Sequence, residues 1–212
     1  MAAPGHTTPL REATFQNLQL NAGIFIANAD YSSIANATTL KTAITNLIAG
    51  SSSAFGSNAK LLGATRGGGS FTVTREIRVP EVDGRRYGFK GDSFVDSVEA
   101  QLSTTLIEIT KDTFLTALAG SAVTGSSPKQ TIKLSTAIGT SNYLTNVCWI
   151  GDLSDGKLLL ICLQNALNTA DLTLTFTDKG EGTLPVEFHA KQASVNDYDN
   201  APFEIVYFTP AT

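Results

Sequence analysis

Between Lys60 and Thr110 the chain carries two long stretches of alternating apolar and polar residues on either side of an Asp83-Gly84 turn, and this pattern restricts the fold more than any other part. Phe71, Val73, Ile77 and Val79 share one face of the outgoing stretch; Phe94, Val98, Ala100, Leu102 and Leu106 share one face of the return. Period-two alternation of this length reads as an extended β-hairpin, about 66–110, entered through a Gly67-Gly68-Gly69 hinge. A two-residue turn at Asp83-Gly84 puts Val73 opposite Phe94 and Arg75 opposite Asp92. Pro80 cannot donate to a ladder, and Gly88 and Gly91 weaken the return strand, so the tip is expected to splay. A two-stranded ribbon is marginal alone, and its open edges invite pairing. The hairpin therefore points to completion by further strands from other copies.

The rest of the chain reads as strands with two helices. Leu18, Leu20, Ile24 and Ile26 suggest a half-buried first strand beginning near Leu18. Leu40, Ile44, Leu47 and Ile48 fall at helical spacing within Thr38–Ala49, with Asn36 or Thr38 to cap the start and Gly50 beyond the end; Lys111–Ala119 reads as a shorter helix closed by Gly120. Leu172, Leu174 and Phe176 form one alternating strand, and Val186, Phe188 and Ala190 another with Glu187 and His189 outward. Leu158–Leu163 is apolar on both faces and belongs at the centre of a sandwich, and Phe203–Phe208 closes the sheet. Residues 1–14 read as a flexible arm before one domain over 15–212.

Composition narrows the function. Charged residues are 16% of the 212, against about 25% in an average soluble domain, and such depletion marks surfaces that bury against protein. A net charge of −4 argues against a duplex-binding footprint, and no apolar run reaches the 18 residues of a membrane-spanning helix. Cys148 and Cys162 each lie within apolar runs and read as buried reduced thiols; with His6 and His189 the only histidines, no ordinary zinc set is present. Gly63–Ser70 lacks the Gly-Lys-Ser/Thr of a phosphate loop and leads into a strand. His189 has no Ser-plus-acid signature beside it and reads as structural, Asp197-Tyr198-Asp199-Asn200 as a polar turn, and Glu76, Glu81 and Asp83 as surface ion-pair partners of Arg75, Arg78 and Arg85. No catalytic residue, cofactor or metal is assigned.

The run Lys60-Leu61-Leu62-Gly63-Ala64-Thr65-Arg66-Gly67-Gly68-Gly69-Ser70-Phe71-Thr72-Val73, then Glu76-Ile77-Arg78 and Asp83-Gly84, resembles the tail-tube proteins of tailed bacteriophages. So do Gly91–Ile109, with its Glu99-Ala100-Gln101-Leu102-Ser103-Thr104-Thr105-Leu106 core, and the C-terminal Phe188-His189-Ala190 and Ala201-Pro202-Phe203-Glu204-Ile205; together they cover about half of the chain. The resemblance implies a β-sandwich with one or two flanking helices, whose hairpins join into a shared barrel in six-membered rings stacked around a channel for genome ejection. Glu99, Gln101, Ser103 and Thr105 would face the lumen. Arg75, Arg78, Asp83, Arg85, Arg86 and Lys90 would meet neighbouring subunits, those near the tip touching acidic groups of the next ring. Expected partners are further copies, a tape-measure protein, the tail terminator and distal tail or baseplate proteins. Genomic DNA would pass through non-specifically, without membrane insertion, in a non-contractile virion tail assembled in the host cytoplasm. The alternative is a β-sandwich adhesin or capsid decoration module, in which the hairpin would be compact and protease-resistant.

Overall fold

The computed structural model describes residues 18–51, 54–119, 121–135, 137–176, 178–195 and 200–210. The expected N-terminal arm, Gly120 and most of the Asp197–Asn200 turn lie outside them. The chain is mainly β and its sheets are antiparallel. In order come β1 (Ile24–Ala27), α1 (Ala37–Ile48), β2 (Lys60–Leu61), β3 (Thr65–Arg78), β4 (Phe94–Leu106) and α2 (Lys111–Ala117). There follow β5 (Ser121–Thr124), β6 (Thr131–Leu134), β7 (Leu144–Asp152), β8 (Leu158–Asn168), β9 (Leu184–His189) and β10 (Phe203–Phe208).

β8 organises the molecule. Its first half lies between β7 on one side and β10 on the other; beyond Asn165, Ala166 still pairs with Leu144 of β7, and Leu167 and Asn168 then pair with β9, which carries β4 and then β3. Asn165 takes φ of 47°, a left-handed conformation that asparagine tolerates better than most residues, and its side-chain amide donates to the Lys191 carbonyl at 3.1 Å. The strand thus passes from one half of the sheet to the other at this residue. Ile161 and Leu163 face a core shared with Phe25, Val147, Trp149, Leu102, Leu106, Val186 and Phe188, so the β9–β4 half packs over the β1–β7–β8 half. Leu158, Leu160 and Cys162 face a second core closed by Leu40 and Ala43 of α1, Phe55 and Phe208. The Leu158–Leu163 run is apolar on both faces because it is covered on both.

The same double cover corrects the expected half-buried first strand. Phe25 and Ala27 enter one core and Ile26 the other, whereas Leu18 and Leu20 are exposed and only Gln19 makes an isolated bridge, to Leu153. The expected Leu172–Phe176 strand is also absent: this stretch is irregular apart from a Thr175–Thr183 bridge, and Phe176 is exposed. Leu174 still packs against the first core, but the pairing goes no further than Thr175 among the described residues. Cys148 and Cys162 are not separate thiols but a disulfide, since the β7–β8 register sets them directly opposite with Cα atoms 4.0 Å apart.

α1 lies close to its expected span. Asn36 caps it, the side-chain oxygen accepting from the Thr39 amide at 2.9 Å while Thr39 Oγ1 accepts from the Asn36 amide at 3.1 Å. Gly50, at φ 67°, follows its end. α2 ends two residues before the expected Ala119 and sends Ala117 into the first core.

Candidate functional site: a projecting ribbon with one polar and one apolar face

β3 and β4 are extended strands of 14 and 13 residues, but the remaining sheet supports only part of them. β9 pairs with Gln101–Leu106 of β4 and stops, and β3 is the last strand of the sheet. Beyond Val73 and Ala100 the two strands project as a bare ribbon, with the outer edge of β3 and the Phe94–Glu99 edge of β4 lacking any strand partner among the described residues.

The observed register corrects the one expected. Val73 lies opposite Ala100, not Phe94, and Arg75 opposite Val98, not Asp92. Asp83-Gly84 does turn the chain, with the Arg85 amide donating to the Val82 carbonyl at 3.2 Å, but this turn belongs to a loop over 79–93 and does not join the strands. Pro80 lacks the amide needed to prolong the ladder, and the positive φ of Gly84 and Gly91 shapes two local turns instead. A bulge then intervenes, since Glu76 faces Ser97 while Ile77 faces Val95. It transfers Phe94 from the apolar face, where alternation placed it, to the side of Arg78, and brings Val95 beside Ile77. At the base the glycine hinge is a second irregularity: Gly67 and Gly68 have φ of 75° and 74°, and Thr104 Oγ1 donates to the Gly68 carbonyl at 2.7 Å.

The two faces differ in what covers them. On the inward face, Ala100, Leu102 and Leu106 are buried in the first core, but the continuation through Val73, Ile77, Val95 and Val98, with Arg75 opposite Val98, is only partly covered, and Ile77 is 55% exposed. On the outward face stand Glu99, Gln101, Ser103 and Thr105, beside Ser70, Thr72 and Thr74 of β3 and Glu187 and His189 of β9. The structure brings these four candidates together on one polar wall. Ser70 and Ser103 join hydroxyls across the strands at 2.8 Å.

His189 is held in that wall between two carboxylates. Its Nδ1 lies 2.8 Å from Glu99 Oε1 and its Nε2 2.8 Å from Glu187 Oε1. A neutral imidazole has one N–H, so both contacts are hydrogen bonds to carboxylates only when the ring is protonated. The ring thus bridges two carboxylates on a surface otherwise made of hydroxyls and amides. Sequence alternation placed Glu187 and His189 outward, but their meeting with Glu99 depends on the β4–β9 register, which no local pattern encodes.

The six basic and acidic candidates at the ribbon separate into two groups. Arg78 pairs with Asp96 at 2.9 Å across the ribbon, and Arg85 pairs with Asp92. These are not the partners expected: Glu76 instead accepts from Ser97 Oγ at 3.3 Å. Arg85 also donates to the carbonyls of Pro80 at 2.9 Å and Tyr87 at 3.1 Å, so it braces the tip from within. The Phe89 amide, donating to Asp92 at 2.8 Å, is the main cause holding that carboxyl below its ordinary range, with Ser93 and Arg85 adding to it against a smaller burial effect. Arg75, Asp83, Arg86 and Lys90 remain exposed and form no ion pair among the described residues.

Among the described residues no group of His, Cys, Asp and Glu has the arrangement of a metal site, and no helix is long and apolar enough to cross a membrane. The sequence matches no protein-family model and no curated protein.

Proposed function

We propose that this protein is a structural subunit that assembles with copies of itself through the ribbon. More particularly, we read it as the major tail-tube subunit of a tailed phage, six copies to a ring, with rings stacked around a channel for genome ejection. The observation that carries the reading is the half-supported ribbon, whose strand edges lack partners among the described residues and whose inward face, largely apolar apart from Arg75, is left partly exposed while its outward face is polar. An exposed, flat, apolar strand pair is an aggregation hazard unless a defined neighbour covers it. Sheets closing around a ring remove such edges. In that arrangement Glu99, Gln101, Ser103 and Thr105, with the Glu187–His189–Glu99 cluster, line the bore, and a hydroxyl-rich wall with excess carboxylate lets DNA slide without adhering. The tape-measure, terminator and distal tail or baseplate proteins are the partners this role entails, and the virion tail is its location.

Electron microscopy of the purified protein at increasing concentration tests the proposal. Rings or tubes of uniform diameter with a central channel are the expected result. Persistent monomers at millimolar concentration would refute it, and with a protease-resistant 67–91 region would favour an adhesin or decoration module.

A further inference from the structure

The tip of the ribbon and a cleft at its base are matched in chemistry but separated within one molecule. Tyr87 and Phe89 are 81% and 70% exposed at the tip. They do not hang from a loose loop: turns at Val82–Arg85 and Phe89–Asp92 and the bonds of Arg85 and Asp92 fix the backbone that carries them. Aromatic side chains displayed on a braced backbone lose little freedom on docking, which is the character of an interface anchor.

The cleft, of about 440 Å³, opens between the two halves of the sheet. Trp149, Leu159 and Ile161 form one wall, Phe71 and Leu102 the other, and no charged side chain lines it. Gly67 and Gly68 lie at its rim: a Cβ on Gly67 would meet nothing within 4 Å, and one on Gly68 only the Ala22 methyl at 3.8 Å. Both take positive φ, which favours glycine, and neither adds a side chain to the rim. The volume is at the small end for binding pockets and suits one or two aromatic rings, with a tyrosine hydroxyl left at the wet mouth.

The tip cannot reach the cleft of its own molecule. Gly69–Arg78, at about 3.3 Å per residue, sets the tip roughly 30 Å away. We propose that Tyr87 and Phe89 of one copy seat in the Gly67–Gly69 cleft of another copy. This rests on the self-assembly reading and assigns the contact that joins one ring to the next. Tip and cleft are different patches, so the contact is head-to-tail and repeats from copy to copy instead of closing as a pair.

The test mixes two full-length variants, Lys90→Cys, which keeps Tyr87 and Phe89 in place, and Ala22→Cys, under mild oxidation during assembly. Crosslinked pairs of one variant with the other are expected, at least tenfold above like-with-like pairs. In parallel, Phe89→Ser and Ala22→Trp, the latter filling the mouth, are each expected to raise the concentration needed for assembly at least tenfold with thermal midpoints unchanged. Combining them is expected to add little, because both remove one contact. Rings or tubes that form without the crosslink, and at unchanged concentration in both variants, overturn this contact and leave the self-assembly reading standing. Absence of any association between wild-type copies overturns both.

Discussion

Phe188 and Ile77 both stand on alternating strands of the same sheet, yet the first is sealed in a core and the second is more than half exposed. The difference lies in neighbours, not in strand character. Phe188 sits opposite Leu102 and faces the β1–β7–β8 half of the sheet, whereas Ile77 sits opposite Val95 and belongs to neither core. A base that completes itself and a ribbon that does not make separate predictions.

The largest expected effect comes from removing the ribbon. Replacing residues 75–98 by an Asn-Gly turn joins Thr74 to Glu99, which are already paired, and leaves both cores intact. Assembly should be abolished while the thermal midpoint of the base moves by only a few degrees, as calorimetry and electron microscopy would read. An equal collapse of both would show that the ribbon belongs to the base. Next are point truncations. Phe188→Ala should cost about 3–5 kcal/mol of unfolding free energy in denaturant titrations, as large core aromatics do. Ile77→Ser should alter it by less than about 0.5 kcal/mol, as exposed substitutions do, yet impair assembly strongly.

Two smaller effects concern protons. The Asp92 carboxyl is held below its ordinary range by the Phe89 amide, so its bond to the tip is intact above the unfolded pKa of about 4 and fades as pH falls further, through the lowered folded value. NMR titration should show the Phe89 amide signal moving only below about pH 4, and Asp92→Asn should erase that step. In the base, burial and then the Glu204 carboxylate, 3.0 Å away, push the Tyr31 phenol up to about 12. Because its neutral form is favoured in the folded state, the contribution is present below pH 10 and is lost as pH rises toward 12. Tyr31→Phe should flatten the alkaline arm of the stability profile by a small amount and leave assembly alone.

What was legible in the sequence follows the same division. Where local periodicity and final environment agree, the residues announced their place: Leu40, Ile44 and Leu47 on α1 (though not Ile48, which is exposed at the helix end), Phe203–Phe208, and the doubly apolar Leu158–Leu163. The polar phase of Glu99, Gln101, Ser103 and Thr105 was readable because β4 keeps a strict alternation from Ala100 onward. Phe94 was misplaced because a bulge near Asp96 changes phase, and a bulge leaves no mark in an apolar–polar pattern. Leu172–Phe176 has the alternation of a strand but pairs only at Thr175, with Thr183. The His189 cluster and the Arg85 brace join residues whose approach depends on register and loop shape, so neither was visible in the chain.

Hydrogen exchange along the ribbon tests the central claim most directly. The account predicts that the outward-edge amides of β3 between Val73 and Arg78 exchange within seconds in dilute protein and become protected at least a hundredfold on concentration into assemblies. Rates slow in dilute monomer and unchanged on concentration would contradict it, because the ribbon would then be complete without its neighbours.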